Sequence, residues 1–441
     1  MGRSGRAAAG ALIEKGAVVS IQDSKGAADF EPEFLEEMQA AGVTAYLGCV
    51  PEDMSAFDIL VLSPGVPPRL DFIEEAKAAG AEIIGELELA YRLCKGRFVG
   101  ITGTNGKTTT TTLVGEIYKA AGRDTIVGGN IGNAIAVDAM NAKEDTWMVT
   151  EISSFQLETI RDFRPVVSAI LNLTPDHMDR HGTMEEYGRV KARVFENQTP
   201  DQYCVLNYDD EGCFHLAERE GCRAKVVPFS RKQKLEFGAF VRESRIIIRN
   251  EAGEEVDICG TDELQIPGTH NLENALAAAA VCYFGGIDPK VIGEAMKAFP
   301  GVAHRIELVC EKDGVRFVND SKGTNTDAAI KAIEAMKENI ILIAGGYDKG
   351  ASYEEFIDAF PGRVKELILL GKTAPKIKAA AEAAGFTNIT MAADMEECVA
   401  AAWEKAQPGD VVLLSPACAS WDMYDNFEQR GDHFRECAQK L

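Results

Sequence analysis

Four things are scarce in this sequence, and each scarcity excludes something. Positive charge is outnumbered: 46 Lys and Arg against 69 Asp and Glu leave a formal net charge of −23. No overall basic field therefore draws in a nucleic-acid backbone or an anionic membrane. Long apolar runs are missing, since the longest, residues 275–284, is little more than half of the roughly 18 residues a membrane-spanning helix needs. No charged stretch leads into an apolar one at the start, so no secretory signal is expected. Cysteine pairing is absent as well: the 11 cysteines are an odd number, with no C-x-x-C pair and no zinc-knuckle spacing. They read as reduced thiols of a cytoplasmic protein, Cys418 being a small core residue. Low-complexity tracts are absent too, and 46% apolar with 26% charged residues excludes disordered and collagenous chains.

What is present points to an α/β protein. A chain of 441 residues is expected to form two to four domains at roughly 100–200 residues each. Short β-branched runs alternate with Ala-rich helical stretches, the signature of parallel sheets covered by crossover helices. Composition and turns divide it into three domains, 1–93, 94–299 and 300–441. The first has predicted strands at 17–22, 58–62 and 82–84 and a helix at 86–93, before a boundary at Lys95-Gly96. The second opens on a strand at 98–102 and closes near 299–301. The third has strands at 315–319, 340–344, 366–370 and 411–415. Residues 2–5 and the helical 6–15 look like the turn and helix of a dinucleotide-type βαβ unit, whose turn must follow a strand. No strand precedes it here. Either the first sheet lacks a central strand or the chain starts late, unless this is simply a capped helix.

The chemistry is concentrated in a few strings. Residues 98–109 read as an apolar strand, a Gly-rich turn and a Thr-rich helix start carrying one Lys. That order suits phosphate: backbone N–H groups and the helix N-terminus face the anion, Lys107 neutralises it, and the Thr108 hydroxyl reaches Mg²⁺. The general P-loop spacing wants Gly at 101, where Ile101 stands, so this is a shortened variant with Gly103 and Gly106. A P-loop metal needs a carboxylate at the end of a neighbouring strand, and Glu151 ends the run 147–152. A further apolar run, 166–173, leads into a loop that puts Asp176 or His177 at the carboxyl edge of the sheet, where ligands of open α/β sheets collect. Simple solvent exposure is the alternative for such a loop histidine.

Lys191 is more telling. On the predicted helix 184–197, Tyr187, Val190, Val194 and Phe195 recur at helical spacing and Lys191 falls within that apolar stripe. Either its stem packs while its amine escapes to water, or its pKa is depressed enough for reaction with CO₂, giving a carbamate that ligates a second Mg²⁺. Asn271 and Asn274 share one helical face, where paired amides read an adenine edge or Asn271 caps the helix. Arg305, Asp320, Lys322 and Thr324 sit in loops opening the third block, suited to carboxylates or phosphates.

Taken in chain order, TGTNGKTT (102–109), EISSFQ (151–156), 172–182, 270–274, His304-Arg305 and 319–324 resemble the ATP-dependent Mur ligases over the whole length. Within that family, GGNIG (128–132), EISSFQLE (151–158) and SPACASWDMYDNFEQR (415–430) resemble the members that add D-glutamate. Folylpolyglutamate synthases share the phosphate loop but not the last segment. The resemblance implies an N-terminal Rossmann-like UDP-binding domain, a central P-loop ATPase domain with a mostly parallel sheet, and a C-terminal Rossmann-like domain that receives the amino acid. It implies an ATP-dependent acid–amino-acid ligase of peptidoglycan precursor synthesis, hence of cell-wall biogenesis, cell shape and division. ATP would phosphorylate the carboxylate of UDP-MurNAc-L-Ala and the D-glutamate amine would attack the acyl phosphate.

The roles carried over are specific. Gly103, Thr104, Asn105, Gly106, Lys107, Thr108 and Thr109 would cradle ATP, with Asn271, Asn274, Arg305 and Asp320 contacting it. Thr108 and Glu151 would hold one Mg²⁺, His177 and carbamylated Lys191 a second, and Lys322 would act near the transferred phosphate. Thr324, Lys349, Ser420 and Phe427 would place D-glutamate; Asp23, Ser24, Gly65 and Asn130 would contact the UDP-sugar. A monomer is expected, closing at Lys95-Gly96 and Pro300-Gly301. An amide ligase with another acceptor, or a nucleotide binder that no longer catalyses, stays open as an alternative.

Overall fold

Strands buried at every position need cover on both faces, and the inner strands of the two large sheets, such as Trp147–Glu151, Val167–Ile170, Ile340–Ala344 and Val411–Leu414, are of that kind. The computed structural model of the chain describes residues 2–132, 134–336, 339–348 and 350–441. Its central sheet has nine strands, in the order Glu255–Gly260, Arg245–Arg249, Gly238–Arg242, Lys225–Ser230, Tyr203–Asn207, Val167–Ile170, Arg97–Thr102, Trp147–Glu151 and Thr125–Gly129. Pairing is parallel from Gly238–Arg242 to Thr125–Gly129, and two antiparallel strands finish the other end. Trp147–Glu151 and Val167–Ile170 are buried along their whole length, as a sheet with helices on both faces requires.

Arg97–Thr102 lies between Val167–Ile170 and Trp147–Glu151, so successive crossovers leave it in opposite directions. Such a reversal opens a crevice at the carboxyl ends of the strands, where the segments 102–109, 151–154 and 172–182 emerge. The helix Lys107–Ala120 opens with a run of Thr, a poor helix former. Burial of Thr109, Thr110, Thr111, Leu113, Val114, Ile117 and Tyr118 holds it instead.

In the C-terminal part six strands run in the order Glu307–Lys312, Val315–Asn319, Val411–Leu414, Ile340–Ala344, Val364–Leu369 and Ile389–Met391. Only the first pair is antiparallel. One face is covered by Ala329, Ile333 and Phe356, the other by Met395, Cys398 and Phe434. The N-terminal stretch forms two separate parallel pairs, Ser20–Asp23 with Thr44–Leu47 and Ile59–Leu62 with Glu82–Gly85. The helix Arg3–Glu14 buries Ala7, Ala8, Ala9 and Ala11. Packing divides the chain into two units, one of residues Met1–Glu263 and Glu273–Lys297, the other of Leu264–Leu272 and Ala298–Leu441.

Three expected elements are corrected. The strand expected at 17–22 pairs only from Ser20, because Gly16 turns through φ 79° and Val18 stands fully exposed. The strand expected at 166–173 ends at Ile170, after which Asn172 turns its side chain onto Asn105. The helix expected at 184–197 is α-helical only over Met184–Ala192. It tightens to a 3₁₀ turn at Arg193–Phe195, where Arg193 donates to the carbonyls of Leu157, Glu158 and Ile160.

Candidate active site

The turn after Arg97–Thr102 is shaped by two glycines. Gly103 has φ 148° and Gly106 φ 81°, the latter capping the helix that follows. A Cβ at Gly106 would also overlap the amide of Asn274, so both backbone and space demand glycine there. Thr104 Oγ1 donates to the Thr174 carbonyl at 3.1 Å and lies 3.3 Å from Tyr187 Oη. Asn172 clamps Asn105 from both sides, accepting from its backbone N–H at 2.8 Å and donating to its carbonyl at 3.0 Å. These bonds tie the loop to the segment 172–174. Lys107 Nζ folds back on it, donating to the carbonyls of Gly103 (2.9 Å) and Thr104 (2.8 Å).

Glu151 ends its strand 2% exposed. One carboxylate oxygen accepts from Asn130 Nδ2 at 2.8 Å; the other, Oε2, is buried without a hydrogen bond among the described residues. A buried anionic oxygen left unpaired is costly, and a hard cation such as Mg²⁺ is the partner its chemistry fits. The Thr109 hydroxyl is also buried and unpaired. His177 stands in the left-handed region, φ 54° and ψ 36°, a strained conformation for a non-glycine residue. Its ring packs on Phe155 at 4.8 Å and its Nε2 lies 3.5 Å from Asp176.

Lys191 is 1% exposed. Its amine does not escape to water: Nζ donates to the Gly103 carbonyl at 2.9 Å and sits over the Tyr187 ring. Burial, then the charge of Lys107, holds its pKa well below the usual lysine range. Two amines thus share one carbonyl oxygen. Nearby, Ser154 Oγ meets His181 Nε2 at 3.0 Å, and Arg180 reaches Glu158, tying the segment after His177 to the segment after Glu151.

A second cluster forms in the C-terminal unit. Asp320 is buried, accepting from Ser415 Oγ at 2.7 Å and from the Ile306 N–H at 3.3 Å. Burial pushes its carboxyl up to about 6, against the pull of Arg305. Lys322 Nζ lies over the Phe427 ring at 5.5 Å. Arg430, 1% exposed, donates to Ser321 Oγ (3.0 Å), the Ser321 carbonyl (2.7 Å) and the Cys418 carbonyl (3.1 Å), and burial lowers its pKa to about 10. The Ser321 hydroxyl in turn donates to the Phe427 carbonyl. These bonds hold the turn bearing Lys322 and Thr324 against the loop bearing Ser420, which is 2% exposed.

The expected residues therefore gather in two places. Gly103–Thr109, Asn130, Glu151, His177, Lys191 and Asn274 belong to the first unit; Arg305, Asp320, Lys322, Thr324, Ser420 and Phe427 to the second, as does Asn271. Asn271 donates to the Pro267 carbonyl at 2.7 Å. Asn130, expected on the nucleotide sugar, here orients Glu151. Asp23 ends its strand and accepts from the Lys25 N–H, Ser24 follows it, and Gly65 has open space around it. Lys349 lies outside the described residues. A cleft of about 420 Å³ lined by Pro68, Lys77, Arg161 and Arg193 contains none of the expected residues. Sequence reasoning gave no role to Asn172, Tyr187 or Arg430, although Arg430 interrupts the apolar face Phe427, Phe434, Cys437 of the last helix, a pattern as legible as that of Lys191.

A phosphate loop, a buried metal-ready carboxylate and a buried lysine on one sheet edge define a nucleotide-dependent enzyme class, and comparison with known proteins gives it a family. The Mur ligase middle domain matches residues 101–282, the Mur ligase glutamate ligase domain 304–418 and the MurD-like N-terminal domain 1–85. The chain belongs to the Mur ligase family. It is 50% identical, over 94% of its length and 91% of the relative's, to the UDP-N-acetylmuramoylalanine–D-glutamate ligase of Thermoanaerobacter sp. (strain X514). The ligase of the same name from Caldanaerobacter subterraneus is 48% identical over 100% of this chain and 97% of its own. Among solved structures, the UDP-N-acetylmuramate-alanine ligase MurC of Thermotoga maritima shares the fold with TM-score 0.62 and 20% identity, covering 100% of this chain and 97% of that one. The MurF ligase of the same organism in complex with ADP gives TM-score 0.59 at 18% identity, covering 88% and 99%.

Proposed function

We propose that this chain joins D-glutamate to UDP-N-acetylmuramoyl-L-alanine at the expense of ATP, in the cytoplasm, as a step of peptidoglycan precursor synthesis. The observation that carries the reading is near-full-length identity of about half to relatives bearing that name. The Glu151 oxygen left without a hydrogen bond among the described residues, beside the phosphate loop, supports the ATP-and-metal part of it.

In this reading the substrate carboxylate attacks the γ-phosphorus of ATP, forming an acyl phosphate and releasing ADP. The D-glutamate amine then attacks the acyl carbon, loses a proton and expels phosphate, leaving an amide. Residues 103–109 bind the nucleotide phosphates through backbone N–H groups, and Lys107 exchanges its loop carbonyls for the anion. Asn271, Asn274, Arg305 and Asp320 hold the rest of the nucleotide, and Lys322 balances charge on the transferred phosphate. Thr108 and Glu151 would hold one Mg²⁺, and His177 with carbamylated Lys191 a second, neutralising the charge that the converging acids carry. Asn130 orients Glu151. Thr324, Ser420 and Phe427, with Lys349, place D-glutamate, while Asp23, Ser24, Gly65 and Asn130 contact the UDP-sugar.

The test is an acceptor panel: ADP release with UDP-MurNAc-L-Ala and, in turn, D-Glu, L-Glu, L-Ala, L-Lys or diaminopimelate. Release with D-Glu alone is expected. Turnover with another acceptor in its place, or with none, overturns the reading.

A further inference from the structure

The last helix, Phe427–Lys440, and the helix Met395–Lys405 pack side by side over one face of the C-terminal sheet, around Met395, Cys398, Phe434, Cys437 and Ala438. At the edge of that packing three different metal-ligating side chains meet. His433 and Cys437 are four residues apart, hence on one helical face, and Glu396 stands in the first turn of the facing helix. One oxygen of Glu396, one ring nitrogen of His433 and the sulfur of Cys437 all lie within 4.8 Å of one another. The histidine is already oriented: Nδ1 lies 3.0 Å from Tyr424 Oη, which leaves Nε2 facing Glu396 Oε1 at 3.9 Å. With Nδ1 carrying the proton toward the tyrosine, Nε2 presents its lone pair to the other two donors. That is the outer-shell arrangement that fixes a ligating imidazole.

The surroundings favour a cation. The carboxylates of Glu396, Glu436 and Asp394 act on the Cys437 sulfur, opposed by the single amine of Lys440, and such a local excess of negative charge favours a dication. Cys310 spends its thiol on the Ala438 carbonyl, whereas Cys437 makes no hydrogen bond among the described residues. Glu396 is exposed, His433 half-buried and Cys437 buried, so the three donors run from solvent to a partly desolvated sulfur.

We propose that Glu396, His433 and Cys437 form a site for a thiophilic divalent transition metal of the Zn²⁺ class, separate from the nucleotide's Mg²⁺ ions. Sulfur and imidazole select such an ion over Mg²⁺, and three protein ligands leave a fourth position for water. Binding replaces the thiol proton, which leaves to solvent, by a sulfur–metal bond. Tyr424 also donates its backbone N–H to the Ser420 carbonyl, so the bound ion would brace the loop carrying Ser420 through His433.

The experiment is a Co²⁺ titration of the chelator-treated, reduced full chain in saturating Mg²⁺. A near-ultraviolet thiolate-to-cobalt absorption band is expected to saturate at one equivalent and to vanish on adding Zn²⁺. It should be lost in Cys437→Ser and Cys437→Ala, while Tyr424→Phe weakens Co²⁺ binding by about tenfold. Absence of the band in the unsubstituted protein, or its persistence in both Cys437 variants, overturns the proposal. Should those variants fail to fold, Glu396→Gln and His433→Gln at the helix surface decide: weaker Co²⁺ binding in each supports the site, and unchanged binding in both overturns it.

Discussion

The phosphate-loop crevice and the Asp320–Arg430 cluster both bury charge, but they treat it in opposite ways. In the crevice, Glu151 Oε2 and the hydroxyl of Thr109 are buried without hydrogen bonds among the described residues, and Lys107 and Lys191 crowd a single carbonyl. In the cluster, Arg430 donates to Ser321 and to Cys418, and Asp320 is held by Ser415 and Ile306. Unpaired buried polar atoms cost roughly 1–3 kcal/mol each, so the crevice is the part of the fold that a ligand completes. In the cluster the buried Arg430 and Asp320 are hydrogen-bonded within the protein, though Asp422 Oδ1 nearby is not, and these bonds act as scaffold for the side chains that project from it.

Substitutions on the two sides should therefore separate activity from stability. Lys107→Ala is expected to lower ATP-dependent ligation by about 10³-fold or more, roughly 4 kcal/mol of transition-state stabilisation, with the melting temperature unchanged; steady-state ADP release and calorimetry read both. Lys191→Ala should also lose most activity, with partial rescue by a short carboxylic acid and none by bicarbonate. Full activity in that variant would end the carbamate reading. Glu151→Gln should cost about 10²-fold in rate without lowering stability, because an unpaired buried anion is removed. Arg430→Met reverses the pattern: denaturant unfolding should show a loss of about 3 kcal/mol, with a raised KM for D-glutamate. If Glu151→Gln unfolds the protein while Arg430→Met leaves it intact, the contrast fails.

The smallest effect concerns His270. Burial, with the charges of Arg305 and Lys331, pushes its pKa down from 6.5 to about 4. Between those values the unfolded chain binds more protons than the folded one, so stability rises with pH. The contribution is complete above 6.5 and is lost as pH falls toward 4, by about 2 kcal/mol at pH 5 relative to pH 7. His270→Asn should flatten that part of a stability–pH curve. An unaltered slope would mean that His270 does not titrate in this window.

The crevice was legible in the sequence because its chemistry lies in short contiguous strings. TGTNGKTT sits on a strand–turn–helix, Glu151 closes an apolar strand, and Lys191 interrupts an apolar stripe; each is a local pattern. The cluster was less legible. Asp320 and Lys322 stand out in a loop, and Arg430 interrupts an apolar helix face, but its partner Ser321 lies 109 residues away, and no spacing rule pairs residues that far apart. The strand ends failed for a related reason: Asn172 leaves the sheet to hold Asn105, a partner 67 residues distant. Helix 184–197 likewise tightened where Arg193 found carbonyls some thirty-five residues earlier. Long-range hydrogen bonds, rather than propensity, set these boundaries.

The turn at Gly106 has one more consequence. Its left-handed backbone and the Asn274 amide beside it forbid any side chain for two unrelated reasons. Trimming Asn274 clears room for a methyl group but leaves the torsional penalty, and relaxing the torsion leaves the collision. An alanine at that position must therefore meet a torsional penalty and displace a side-chain amide at once, two costs that no one change elsewhere removes together.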